Sequence, residues 1–252
     1  MLVTNEVRAA LGDRLDRQVD RPFAVRTAAD MAGRIDHTNL KASATSEDIS
    51  ALCAEAAEHD FASVCVNGRW VPLAAGLLAG SKSMVCTVVG FPLGAMASRA
   101  KAYEAKVAVQ DGADEVDMVL DIGAMLSGDF VAVFEAIATV VDAARPSPVK
   151  VIFENCLLTD DQKIAACVMS AAAGAAYVKT STGMSTGGAT VEDVALMRAV
   201  VGDALGVKAA GAVRSREDAE AMLAAGADRI GTSGGGAIIS DNGASAQSDG
   251  GY

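Results

Sequence analysis

Histidine is nearly absent from this chain. Only His37 and His59 occur among 252 residues, which excludes a zinc-dependent carbon–carbon lyase built on several histidine ligands. His37 is open to a site role, but both are expected to be satisfied structural side chains. Aromatic residues are scarce as well, at 4% against 51% hydrophobic overall. The core must therefore rest on Ala, Val, Leu and Ile, a bias that suits parallel strands buried on both faces. Positive charge is also short. A net charge of −11 argues against a general nucleic-acid or anionic-membrane surface, because phosphate backbones and acidic headgroups are met by basic patches. The five cysteines (Cys53, Cys65, Cys86, Cys156, Cys167) are odd in number and form no C-x-x-C pair. They read as reduced thiols in a cytoplasmic protein. No uncharged stretch is long and unbroken enough to span a bilayer; the one from Ser83 to Ser98 is interrupted by Gly90 and Pro92. Residues Met1 to Arg21 alternate charge with isolated leucines and show no apolar signal region. These absences together predict a soluble, cytoplasmic protein.

What is present is a repeated junction. Gln110-Asp111-Gly112-Ala113-Asp114, Ala173-Gly174-Ala175-Ala176 and Ala225-Gly226-Ala227-Asp228 each follow a helical apolar pattern and precede a short apolar run. Glycine there suits a helix C-terminus whose next residue turns left-handed. Their spacing leaves room for two strand–helix units between successive glycines. Strands are predicted near 33–37, 62–66, 84–89, 115–119, 149–154, 176–179, 206–208 and 229–231. Helical patterns cover 46–59, 97–110, 130–144, 160–173, 191–201 and 215–225. The segments opening at Ser46 and Ser215 offer N-cap side chains followed by acidic residues. The fold class is α/β, a single (β/α)8 TIM barrel over the whole chain. Residues 1–30 are expected as an N-terminal helical extension and 240–252 as a flexible, glycine-rich tail.

Lys179 carries the chemistry. It closes the apolar segment Ala175-Ala176-Tyr177-Val178 and opens the turn Thr180-Ser181-Thr182-Gly183. Burial disfavours an ammonium, which serves an enzyme that needs a nucleophilic amine near neutral pH. Lys208 ends a comparable strand before Ala209-Ala210-Gly211, and two lysines at matching positions are expected to lower each other's pKa. Strand-end lysines also snorkel to solvent, so position alone leaves that reading open. Lys150 begins its strand, at the end of a barrel opposite the active site, and is expected to be structural. On the fourth strand, alternation puts Glu115, Asp117 and Val119 on one face. A carboxylate in mid-strand needs a partner, and barrel lysines would make Asp117 part of a proton relay around an imine; a purely structural ion pair is the other reading. The run Gly231-Thr232-Ser233-Gly234-Gly235-Gly236 after the eighth strand, with Gly211 and Ala212 after the seventh and Gly183 after the sixth, could cradle a phosphate. Cys65 ends the second strand and is read as lining the site, with core filler as the alternative.

Several ordered motifs resemble the deoxyribose-phosphate aldolase family. They are Asp36-His37-Thr38 with Leu40, Ser63-Val64-Cys65-Val66, Gly90-Phe91-Pro92-Leu93-Gly94 and Gly112-Ala113-Asp114-Glu115-Val116-Asp117, then Val178-Lys179-Thr180-Ser181-Thr182-Gly183, Val207-Lys208-Ala209-Ala210-Gly211-Ala212-Val213-Arg214 and Ile230-Gly231-Thr232-Ser233. The resemblance covers about Ile35 to Gly234. It implies a class I aldehyde-lyase that reversibly cleaves 2-deoxy-D-ribose 5-phosphate into acetaldehyde and D-glyceraldehyde 3-phosphate, with no metal or organic cofactor. Lys179 would form the Schiff base, with Asp117 and Lys208 as the proton-transfer pair. Asp36, Thr38, Cys65, Gly183, Gly211, Ala212, Ser233 and Gly234 would bind substrate, and Tyr252 would reach in from the tail to assist proton transfer. A homo-oligomer is open. Met184 stands where some members carry a lysine, and Gly234 where members often carry a second serine. A Schiff-base barrel aldolase for another sugar or keto acid, and a non-catalytic phosphosugar-binding barrel, are the alternatives.

Overall fold

Short, apolar, β-branched segments separated by amphipathic ones give eight strands in sequence order. They are β1 (Ile35–Asn39), β2 (Ser63–Val66), β3 (Met84–Val89), β4 (Glu115–Val119), β5 (Val149–Ile152), β6 (Tyr177–Lys179), β7 (Gly206–Ala210) and β8 (Arg229–Thr232). In the computed structural model, which describes residues 30–240 together with the isolated positions Asn5 and Ala9, all neighbours are parallel and β1 pairs with both β2 and β8. The closed barrel is the expected TIM architecture. Apart from those isolated positions and the end residues Asp30 and Ser240, the extension expected over 1–30 and the tail over 240–252, Tyr252 included, lie outside the described residues.

Helices α1 (Ser46–Glu58), α2 (Val71–Leu77), α3 (Ser98–Gln110), α4 (Ile122–Leu126), α5 (Phe130–Ala144), α6 (Asp160–Ala173), α7 (Val191–Val201), α8 (Arg216–Ala224) and α9 (Gly235–Ile239) cover the strands. α2 and α4 lie outside the helical patterns named from the sequence, while α9 falls where the turn after the eighth strand offers a possible helix start. α2 carries Pro near its start, a position where the missing N–H costs nothing but where the sequence reads as a turn. The N-cap of α1 is Thr45, not Ser46; its side chain and that of Asp48 form a reciprocal capping box. Ser215 caps α8 in the same way with Asp218. The junction glycines behave as their repetition predicts: Gly112, Gly174 and Gly226 have φ of 107°, 91° and 112°.

Strand alternation divides the core. On β4, Val116 and Met118 join the large apolar cluster between strands and helices, while Glu115 and Asp117 turn inward and are buried. The barrel interior is consequently charged at its centre. A smaller apolar group, Leu40, Cys65, Cys86 and Val88 with Phe91 packed against it, is separate from the main core.

Candidate active site

Seven charged side chains fill the interior, and their pairing is ordered. Asp117 Oδ1 accepts from Lys150 Nζ at 2.9 Å, and its Oδ2 accepts from Lys179 Nζ and from Lys208 Nζ, each at 2.8 Å. Lys208 also reaches Asp36 Oδ2 at 2.5 Å. Arg229 bonds Asp36 through one guanidinium nitrogen and Glu115 Oε1 through another at 2.8 Å. Lys150 returns to Glu115 Oε2 at 2.6 Å. The chain Asp117–Lys208–Asp36–Arg229–Glu115–Lys150 therefore closes on itself with alternating sign. Lys179 branches from it at Asp117. Three carboxylates are balanced by Lys150, Lys208 and Arg229, and Lys179 is the fourth cation, surplus to the ring.

The backbone puts these groups at one level. Across β6 and β7, Lys179 is the register partner of Lys208, and across β4 and β5, Asp117 is the partner of Lys150. On β8, a Cβ at Gly231 would stand 2.9 Å from Ala210 Cβ and 3.0 Å from Lys208 Cε, so glycine there leaves room for both. The Tyr177 ring lies below, 5.8 Å from Lys150 Nζ and 5.9 Å from the Arg229 guanidinium carbon.

The electrostatics correct one expectation. Burial works against charge on Lys208, but Asp117 and Asp36 outweigh it and hold its ammonium well above the ordinary lysine range. Lys150 is held charged in the same way, against burial, chiefly by Asp117. Lys208 is thus not depressed by its lysine neighbours. Burial is the strongest influence on Asp117 and would raise it, yet its carboxyl lies well below the usual carboxylate range because Lys150, Lys179 and Lys208 surround it. Asp36 is lowered despite burial by Arg229, Lys208 and Lys150. Lys150, expected to be merely structural, touches the same carboxylate as Lys179. The barrel's stagger brings an early residue of β5 level with mid-β4.

A stability prediction follows from these signs. A lysine raised in the folded state stabilises fully below its ordinary value of 10.5, and that contribution is lost as pH rises through the folded value. Heat-denaturation midpoints should therefore begin to fall as pH rises above about 10.5. Lys150→Met, with one buried ammonium fewer, should fall less steeply; equal slopes would contradict the assignment.

Among the remaining expected site residues, Asp36 is fully buried within the ring, where it bears on Lys208. Thr38 donates to the Asp36 carbonyl at 2.8 Å. With Ser233, His37 and Glu55 it lines a cleft of about 270 Å³ between the end of β1, α1 and the β8 turn. His37 Nε2 is 2.8 Å from Glu55 Oε2, and burial lowers the His37 pKa against the pull of Glu55. Cys65 is fully buried. A hydrogen bond with Cys86 lowers its thiol pKa, and both sulfurs lie beside Asp117. As a ligand set, Cys65, Cys86 and Asp117 fit a metal poorly, because three ammonium groups already occupy the carboxylate.

At the mouth, Gly183 and Gly211 have φ of 81° and 79°, and Ala212 adopts 64° without being glycine. A Cβ on Gly211 would stand 3.4 Å from Gly183 Cα and 3.1 Å from Gly188 Cα, so the turns after β6 and β7 meet. Gly234 donates its amide to Thr232 Oγ1 at 3.1 Å. Ser181, which motif reading did not single out, has a fully buried hydroxyl without a partner among the described residues.

Comparison with known proteins agrees with this barrel. The DeoC/LacD family aldolase model matches residues 30–245. A deoxyribose-phosphate aldolase of Brevibacillus brevis is 60% identical over 188 residues, 75% of this chain and 85% of that protein. One from Lysinibacillus sphaericus is 58% identical over 192 residues, 76% and 86% of the two. A structure described as a tetrameric deoxyribose phosphate aldolase from Aeropyrum pernix superposes with a TM-score of 0.77 at 33% identity, covering 92% of this chain and 93% of the other. With its barrel, its lysine-bearing interior and a match over most of its length, the chain belongs to the DeoC/LacD family of aldolases.

Proposed function

We propose that this chain catalyses the reversible cleavage of 2-deoxy-D-ribose 5-phosphate to acetaldehyde and D-glyceraldehyde 3-phosphate. The observation that carries the reading is the triad at Asp117, where one buried carboxylate holds both Lys179 and Lys208 at 2.8 Å. With its proton passed to water, the amine of Lys179 attacks the aldehyde carbon C1 of the open-chain sugar, and loss of water gives a protonated imine that serves as the electron sink. Removal of the proton from the C3 hydroxyl breaks the C2–C3 bond. Its electron pair passes into the enamine at C2, and glyceraldehyde 3-phosphate leaves. Protonation at C2 and addition of water then release acetaldehyde and restore Lys179. Asp117 and Lys208 share the proton transfers, and Asp36, beneath Lys208, fixes that ammonium in place.

The phosphate would meet the backbone of Gly183, Gly211 and Ala212 and the Ser233-Gly234 turn, where barrels commonly bind phosphate. Thr38 and Cys65 would line the sugar path. Tyr252 would assist proton transfer at the enamine carbon. A non-catalytic binder has no use for a surplus lysine on a buried, balanced ring, which favours the enzyme. Free thiols at all five cysteines support a cytoplasmic setting, and the reaction would serve deoxynucleoside and carbohydrate breakdown. No helix of the described residues is long and apolar enough to cross a membrane. The tetrameric relative supports a homo-oligomer.

The test is acetaldehyde release from 2-deoxy-D-ribose 5-phosphate with and without a chelator. Release at the same rate in both is expected; none from either would remove the assignment.

A further inference from the structure

The proton transfers leave one buried carboxyl at the mouth without a task. Glu154 follows β5, is 2% exposed, and holds φ 58°, ψ 62°. That left-handed conformation is disfavoured for a residue with a long side chain and tends to collect at functional sites. The neighbouring bonds show how the chain is forced into it. The Phe153 amide donates to the Lys179 carbonyl and the Asn155 amide to the Thr180 carbonyl, each at 3.0 Å. β5 advances two residues while β6 advances one, so Glu154 is the extra residue of a bulge. Bulges re-aim side chains, and this one sends a carboxyl across to the turn after Lys179.

There the carboxyl accepts a short hydrogen bond from the Thr182 hydroxyl, and its two oxygens lie 3.3 and 3.4 Å from the Thr182 amide. The same hydroxyl accepts from the Met184 amide at 3.0 Å. Thr182 is therefore held from both sides, with Gly183 at φ 81° enclosed between the bonded groups. Gly183 in turn packs against Gly211 on the next turn. Burial pushes the Glu154 carboxyl upward, while the Thr182 bonds and nearby Lys179 oppose the shift. The carboxyl touches none of Lys179, Lys208 or Asp117 by hydrogen bond among the described residues, so its reach into the site runs through Thr182.

We propose that Glu154 is a positioning residue which, through Thr182, fixes the Gly183 turn and thereby the preference of the site for a phosphorylated over an unphosphorylated sugar. This rests on the reading that the phosphate meets Gly183 and Gly211.

The measurement is the ratio of kcat/KM for 2-deoxyribose 5-phosphate to that for 2-deoxyribose. Glu154→Ala should lower the ratio about 10–100-fold, the scale of a lost hydrogen bond to a charged group, mostly through KM of the phosphorylated sugar. Glu154→Gln still accepts from the Thr182 hydroxyl and should restore most of the ratio. Thr182→Val removes the other half of the link and should reproduce the effect of Glu154→Ala, with the double variant no worse than either; it also serves if Glu154→Ala does not fold. An unchanged ratio, or equal losses on both sugars, overturns the proposal. So does a kcat loss in Glu154→Gln as deep as in Glu154→Ala, which would make Glu154 a proton-transfer group. Failure of the wild-type protein to cleave the phosphorylated sugar would instead overturn the functional reading.

Discussion

Lys179→Met is expected to lower turnover of 2-deoxyribose 5-phosphate by about 10⁴–10⁶-fold, the scale on which enzymes suffer when a nucleophile is removed. The loss should come without loss of stability. Asp117 keeps Lys150 and Lys208 as partners, and the three carboxylates remain balanced by three cations. Removing the surplus cation leaves no buried charge unpaired, so the heat-denaturation midpoint should hold or rise slightly. Activity and stability measured side by side separate a chemical role from a structural one. A variant that unfolds readily would mean that Lys179 belongs to the ring's scaffold; one that keeps substantial turnover would take the amine out of the reaction.

Asp117→Asn should do the opposite and damage both properties. Its carboxylate is fully buried and accepts from three lysines. An amide of the same shape leaves those ammonium groups without a shared counter-charge, at a cost of about 3–5 kcal/mol by analogy with other broken buried ion pairs. Turnover should fall by roughly 10²–10⁴-fold if the carboxylate also moves or directs protons. Lys150 keeps Glu115 and Lys208 keeps Asp36, but four cations then face two carboxylates, and adding Lys150→Met removes one of the excess. The double variant should regain part of the stability while its turnover stays low. Recovery of turnover along with stability would reduce Asp117 to a structural anchor.

These two effects differ because the residues occupy different places in one charge pattern, and the sequence disclosed that pattern unevenly. Strand alternation on Glu115-Val116-Asp117-Met118-Val119 was enough to turn Glu115 and Asp117 to one face. The junction glycines and the apolar periodicity were enough for the eight strands and most of the helices. What could not be read locally was which strands' residues arrive at the same level. Lys150 lies early in β5 and looks remote from chemistry, yet the barrel's stagger makes it the register partner of Asp117. Arg229 and Asp36 are 193 positions apart and meet only because β8 closes on β1. The expected mutual depression of Lys179 and Lys208 failed on the Lys208 side for the same reason, since Asp36 was read as a substrate ligand and not as a counter-charge. Glu154 gave no signal at all: nothing in Phe153-Glu154-Asn155 announces a left-handed residue. Its role depends on hydrogen bonds to a turn 28 positions away.

The most direct test of the account is reductive trapping. The wild-type protein, incubated with 2-deoxyribose 5-phosphate and borohydride, is expected to gain one reduced adduct and to lose activity in step with it. Peptide mapping should place the added mass on Lys179. Mass on Lys150 or Lys208 instead, or inactivation with no adduct on any lysine, would contradict the claim that Lys179 is the imine-forming residue of this barrel.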